Sequence, residues 1–171
     1  ESALCHAIRV GGLACSQAAV ALSRLYVLHA CNYHGDDASE LLHAAERCLE
    51  QARSVGGTDE AAEWVATALL HGKLGNKDAS LAALRSAVAF SWDSEACGRL
   101  ASAMLGSQGT GRDSAHMNAL SPACHAAHWR PRCAHSAAAM AGALVVRGLH
   151  QQASRAYGIA ARLAPAGSDL A

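Results

Sequence analysis

Within the twelve residues 124–135, CHAAHWRPRCAH, stand five side chains able to bind a soft metal: Cys124, His125, His128, Cys133 and His135. Zinc takes four such ligands in a tetrahedron. The spacing Cys-x3-His-x4-Cys-x-His is near the finger and knuckle patterns but matches neither. Cys124 and His128 share a face if the segment is helical, and Pro131 interrupts the path to Cys133 and His135. With ten histidines in the chain, a local cluster also carries less meaning. The segment is therefore expected to be an inter-helix loop and a helix start, with no metal and no cofactor. A zinc-stabilised helical module is the alternative.

Other groups offer less. Cys124 and His125 pair a nucleophile with a base, but sequence neighbours point apart on a helix and no orienting carboxylate is near, so no enzymatic activity is expected. The glycines of GSQGTGRD, residues 106–113, lack the Gly-Lys-Ser/Thr ending of a phosphate loop and follow a helix rather than a strand. They read as an inter-helix connection. The cysteines number seven, an odd count, at Cys5, Cys15, Cys31, Cys48, Cys97, Cys124 and Cys133. They form no disulfide framework, which favours a reducing, cytoplasmic setting, and most are expected to be small core residues. No run of about 18 apolar residues predicts a membrane span. The first residue is Glu1, so targeting signals are expected outside the segment.

The elements that must position these residues are helices. Alanine supplies 41 of 171 residues, and no alternating pattern persists for a strand length. Residues 137–147 and 151–163 are amphipathic runs separated by Gly148 and closed by Pro165. Glycine can end a helix with positive φ, and proline cannot continue one. Met140, Ala141, Leu144 and Val145 share one helical stripe, Ala153, Tyr157 and Ala160 another, and Tyr157 is expected to fill the groove between the two helices.

Met140, Ala141, Leu144, Gly148, Ala153, Tyr157, Ala160 and Pro165 fall in the order and spacing of the tetratricopeptide signature, which this segment resembles. A second copy places Trp64, Ala68, His71, Gly75, Ser80, Leu84 and Ala87 at the same spacings, with His71 at the aromatic position and Trp92 at the proline position. A looser third copy has helices at 12–33 and 40–55, where Ala45, Leu49 and Ala52 precede Ser80, Leu84 and Ala87 by 35 residues. Between the good copies the pattern degenerates. A helix at 96–106 and a shorter one at 113–120 are expected, the latter ended by Pro122. The next long helix is expected near His128, with Pro131 in its first turn. Residues 2–10 read as the tail of a helix whose partner is absent, so the chain is expected to be a piece of a longer array.

The resemblance implies an all-α fold, an α-α superhelix of about three and a half to four helical hairpins. The repeats would be 12–57, 58–94, a degenerate 95–122, and 126–165. It also implies a protein-binding scaffold whose partners are other protein subunits. Tetratricopeptide domains that grip acidic chaperone C-termini use charged and amide side chains where this chain has Val65, Leu69, Ala138 and Gly142, so that clamp is absent. Ala62, Ala66, Leu69 and Lys73 on one inner helix, with Ala138, Gly142 and Val146 on another, would offer a shallow apolar groove for a helix or extended segment. Trp64 and Trp92 are expected to pack between hairpins, and Tyr26 and Tyr33 to pack on the first helix.

The run 118–122, NALSP, with Trp129 seven residues after its proline and a long helix following, is also similar to later repeats of the tetratricopeptide scaffold subunits of the superkiller (Ski) complex. That similarity implies a scaffold for an RNA helicase and a WD40 subunit in cytoplasmic exosome-mediated RNA decay. Charge is segregated along the chain. Residues 36–63 hold eight acids and two arginines, whereas 99–162 hold seven arginines and one aspartate. Such a gradient can orient an acidic ligand. Aromatic residues are not interleaved with the arginines apart from Trp129 beside Arg130 and Arg132, so direct nucleic-acid binding is not expected.

Overall fold

A computed structural model describes residues 13–33, 35–55, 60–106 and 118–164. These form eight α-helices and one 3-10 turn, with no strand among the described residues: α1 Leu13–His29, the 3-10 turn Ala30–Asn32, α2 Asp36–Val55, α3 Glu60–Lys73, α4 Lys77–Phe90, α5 Ser94–Gly106, α6 Leu120–Trp129, α7 Ala134–Val146 and α8 His150–Leu163. The expected helix tail at 2–10, Cys5, Pro165, most of the glycine-rich connection and most of the short helix at 113–120 lie outside the described residues.

The chain divides into two compact units, 1–90 and 91–171. In the first, α1 pairs with α2 and α3 with α4, while α3 also packs on both α1 and α2. In the second, α5 pairs with α6 and α7 with α8, while α7 also packs on both α5 and α6. Each unit therefore has two hairpins in which the first helix of the later pair lies against both helices of the earlier one. Small residues make these approaches possible: Ala19, Ala45, Ala52 and Ala66 are fully buried in the first unit, as are Ala96, Ala101, Ala123, Ala126 and Ala141 in the second. In the first unit Leu49 packs with Val20, Val27 and Leu70 among those alanines, and half-buried Tyr26 lies against the cluster.

The connectors between α3 and α4 and between α7 and α8 are the same structure, 73 residues apart. Gly75 and Gly148 have φ of 78° and 75°. The Gly75 N–H donates to the Gly72 carbonyl at 3.3 Å and the Asn76 N–H to the His71 carbonyl at 2.9 Å. Gly148 donates to Val145 and Leu149 to Leu144 in the same registers, both at 2.9 Å. These paired bonds form a Schellman cap, which satisfies carbonyls that the helix end would otherwise leave open. A Cβ on either glycine would meet nothing within 4 Å. Valine at either position is thus expected to cost only the left-handed backbone penalty, about 2 kcal/mol and equal at the two sites. Urea denaturation followed by circular dichroism measures it. Gly158→Ala, in open space inside α8, serves as the opposite control and should stabilise.

Two prolines act differently from the sequence reading. Pro122 lies buried in the first turn of α6 and opens that helix rather than ending one, because a first-turn residue needs no N–H partner. Pro131 occupies the turn after α6, and the long helix begins at Ala134 rather than near His128. The third hairpin is accordingly complete, α5 with α6, and it extends past residue 122 to Trp129. Its first helix is capped by Asp93, whose carboxylate accepts from the Glu95 N–H at 2.7 Å and the Ala96 N–H at 3.1 Å.

Tyr157 also departs from expectation. It is 48% exposed, whereas Leu49 and Leu84 at the equivalent places in α2 and α4 are buried. Its hydroxyl lies 3.8 Å from the point where a Gly142 Cβ would stand, so the tip of the side chain reaches α7 at Gly142.

Candidate functional site

Of the residues expected to line an apolar groove, Ala66 is buried, Ala62, Leu69, Ala138 and Gly142 are half-buried, and Lys73 and Val146 are exposed. Ala66 is fully buried in the core cluster of the first unit, and Ala62 and Leu69 pack against it. Of that row Lys73 alone is exposed. In the second unit Ala138 is half-buried, and Leu105 of α5 lies so near Gly142 that a Cβ there would stand 2.9 Å from its Cδ1. Val146 remains exposed. Ala66 and Gly142 are thus places where helices come close. Arg53 ties α2 to α3, its Nε 2.7 Å from the Glu63 carboxylate and its second nitrogen donating to the Thr67 hydroxyl at 2.9 Å.

The five candidate metal ligands are held apart. Cys124, His125 and His128 stand on α6, Cys133 is the N-cap of α7, and His135 lies in its first turn. His125 Nε2 is 2.7 Å from the Trp92 carbonyl, and His135 Nε2 is 3.1 Å from the Ser102 hydroxyl. Among the described residues no three His, Cys, Asp or Glu side chains gather as a metal ion requires.

The cysteines differ from the expectation of a mostly buried set. Of the described ones Cys15 and Cys97 are buried, Cys48 and Cys133 half-buried, and Cys31 and Cys124 exposed. Burial, with the Asp93 charge, pushes the Cys97 thiol up to about 11. At Cys133 burial acts upward too, but hydrogen bonds from the Ser136 hydroxyl and from the Ser136 and His135 backbone, with the Arg130 charge, outweigh it and bring the thiol below its ordinary value. Burial and the Arg99 charge lower the His135 pKa, against the opposing Glu95. Since the thiolate is the nucleophile, iodoacetamide at pH 8 is expected to modify Cys133 well before Cys97. Peptide mass mapping reads the order, and Cys97 should be labelled only after urea is added.

What the structure does assemble is a row of rings. The Trp92 and His125 rings meet edge to face with centroids 5.3 Å apart, His125 and Trp129 lie tilted at 6.2 Å, and Trp129 meets His128 edge to face at 5.5 Å. Trp92 and Trp129 are 55% and 66% exposed, and Trp64, at 37%, is only partly covered. For His125 to donate to the Trp92 carbonyl its proton must sit on Nε2. That bond holds Trp92, which precedes α5, against α6 across 33 residues of sequence. The tryptophans are individually conspicuous in the sequence, but their pairing has no local signal.

No protein-family model matches this chain, and no curated protein matches it in sequence. Among the described residues no helix is long and apolar enough to cross a membrane.

Proposed function

We propose that the chain is a helical-repeat scaffold of the tetratricopeptide kind, an α-α superhelix that holds other protein subunits by the shape of its helix faces. The observation that carries this reading is repetition. Two hairpins in different units share one glycine-centred Schellman connector, with its two capping bonds in the same registers, and both units use the same packing order. Stacked hairpins of this kind bury a continuous core through their neighbours and present exposed faces to partners. Ala66 serves that stacking and Gly142 lies against Leu105, so the partner surface is assigned to the exposed apolar residues about the α7–α8 connector, Val145, Val146 and Leu149.

The test is purification of the full-length protein from its own cells, with cross-linking and mass spectrometry, beside a Val146→Asp/Leu149→Asp variant. Partner subunits cross-linked near that connector, and lost from the variant while its helicity is kept, support the reading. A protein that purifies alone, or partners unaffected by the variant, count against it. The narrower resemblance rests on residues 118–122 and Trp129, and co-purification of an RNA helicase with exosome subunits would select it.

A further inference from the structure

In the described stretch 118–164 there are five arginines, Arg130, Arg132, Arg147, Arg155 and Arg162, and no aspartate or glutamate. The only described carboxylates of the second unit are Asp93 and Glu95, and both are engaged: Asp93 caps α5, and Glu95 accepts from Arg99 Nε at 3.1 Å. Arg130 and Arg132, exposed in the turn after α6, have no carboxylate partner among the described residues. Trp129, the residue before Arg130, belongs to the row Trp92, His125, Trp129 and His128. One face of α6 is spent on packing, with Pro122, Ala123 and Ala126 buried. The rings gather at its C-terminal end, where Trp129 and His128 are exposed, His125 is half-buried and Trp92 is laid against His125. Indoles more than half exposed forgo the burial that normally makes tryptophan useful to a fold.

We propose that this face binds single-stranded nucleic acid, with bases stacking on Trp129 and Trp92 and phosphates paired with Arg130 and Arg132. A base has a π-face for each indole and a phosphate for each guanidinium, so both halves of the surface are used. An acidic peptide would use only the charges, since carboxylates gain nothing from the negative face of an indole. A duplex keeps its bases stacked on each other, out of reach of these rings. The expectation against nucleic acid rested on the lack of aromatics among the arginines in sequence. The fold supplies the missing one by bringing Trp92 to α6 through the His125 hydrogen bond.

The experiment uses the full chain and a fluorescein-labelled twelve-nucleotide oligouridylate, followed by fluorescence anisotropy at low and moderate salt. Binding that weakens with salt is expected, as counterion release demands. Trp129→Ala should weaken it by about tenfold or more. Arg130→Glu/Arg132→Glu should abolish it. Trp64→Phe, in the first unit, should leave it unchanged. Trp129, Arg130 and Arg132 are all exposed, so circular dichroism should show each variant folded. Three results would overturn the proposal: no anisotropy change with the wild-type chain, binding by the Trp129 and arginine variants equal to that of the wild-type chain, or displacement of the oligonucleotide by polyglutamate at the same charge concentration. The last would identify an acidic protein segment as the ligand. None of these outcomes depends on the scaffold reading.

Discussion

Ala66→Asp is expected to unfold the first unit, at a cost of about 4 kcal/mol, while Lys73→Asp on the same helix, a charge reversal at its C-terminal end, costs about 1 kcal/mol. Ala66 has no solvent exposure and lies where α3 meets α1 and α2. A carboxylate there loses its hydration, and Arg53, the cation that joins α2 to α3, already holds Glu63 and Thr67. Lys73 is exposed at the end of α3. Both residues belong to the row that the sequence suggests as one binding surface, so the pair separates the two readings of that row. An open groove would tolerate aspartate at both positions, and similar urea midpoints for the two variants would restore it.

The reason that row has two readings lies in the composition. With alanine on several faces of every helix, a stripe of small residues marks close approach equally well to a neighbour helix and to a partner, and the sequence has no second signal to separate them. The hairpin ends were legible for the opposite reason. Positive φ is nearly a property of glycine alone, so Gly75 and Gly148 announce their connectors without tertiary help. Proline is ambiguous: a helix excludes it from the interior but accepts it in the first turn, so Pro122 reads equally as an end or a beginning. The buried stripe Ala119, Ala123 and Ala126 settles it as a beginning. For the ring row, the residues were visible and the contact was not, because Trp92 and His125 meet only once two hairpin elements have packed.

Leu49→Ala is expected to destabilise the first unit by about 3 kcal/mol, which for a unit of this size lowers its melting temperature by on the order of 15 °C. Leu49 is among the largest side chains that the fold buries completely. What surrounds it decides the size of the effect. The cavity would be walled by Ala19, Ala45, Ala52 and Ala66, with Val20, Val27 and Leu70, and alanines have no side chain to swing inward. The structure can therefore recover little by collapse, and the penalty should sit above that of a leucine deletion in a core of longer side chains. Leu28→Ala, at a position 58% exposed on α1, is the control and should cost less than about 1 kcal/mol. Thermal unfolding by circular dichroism compares them. If Leu49→Ala and Leu28→Ala melted together, the packing of α2 against α1 and α3 would have to be redrawn, and with it the hairpin order on which the scaffold reading stands.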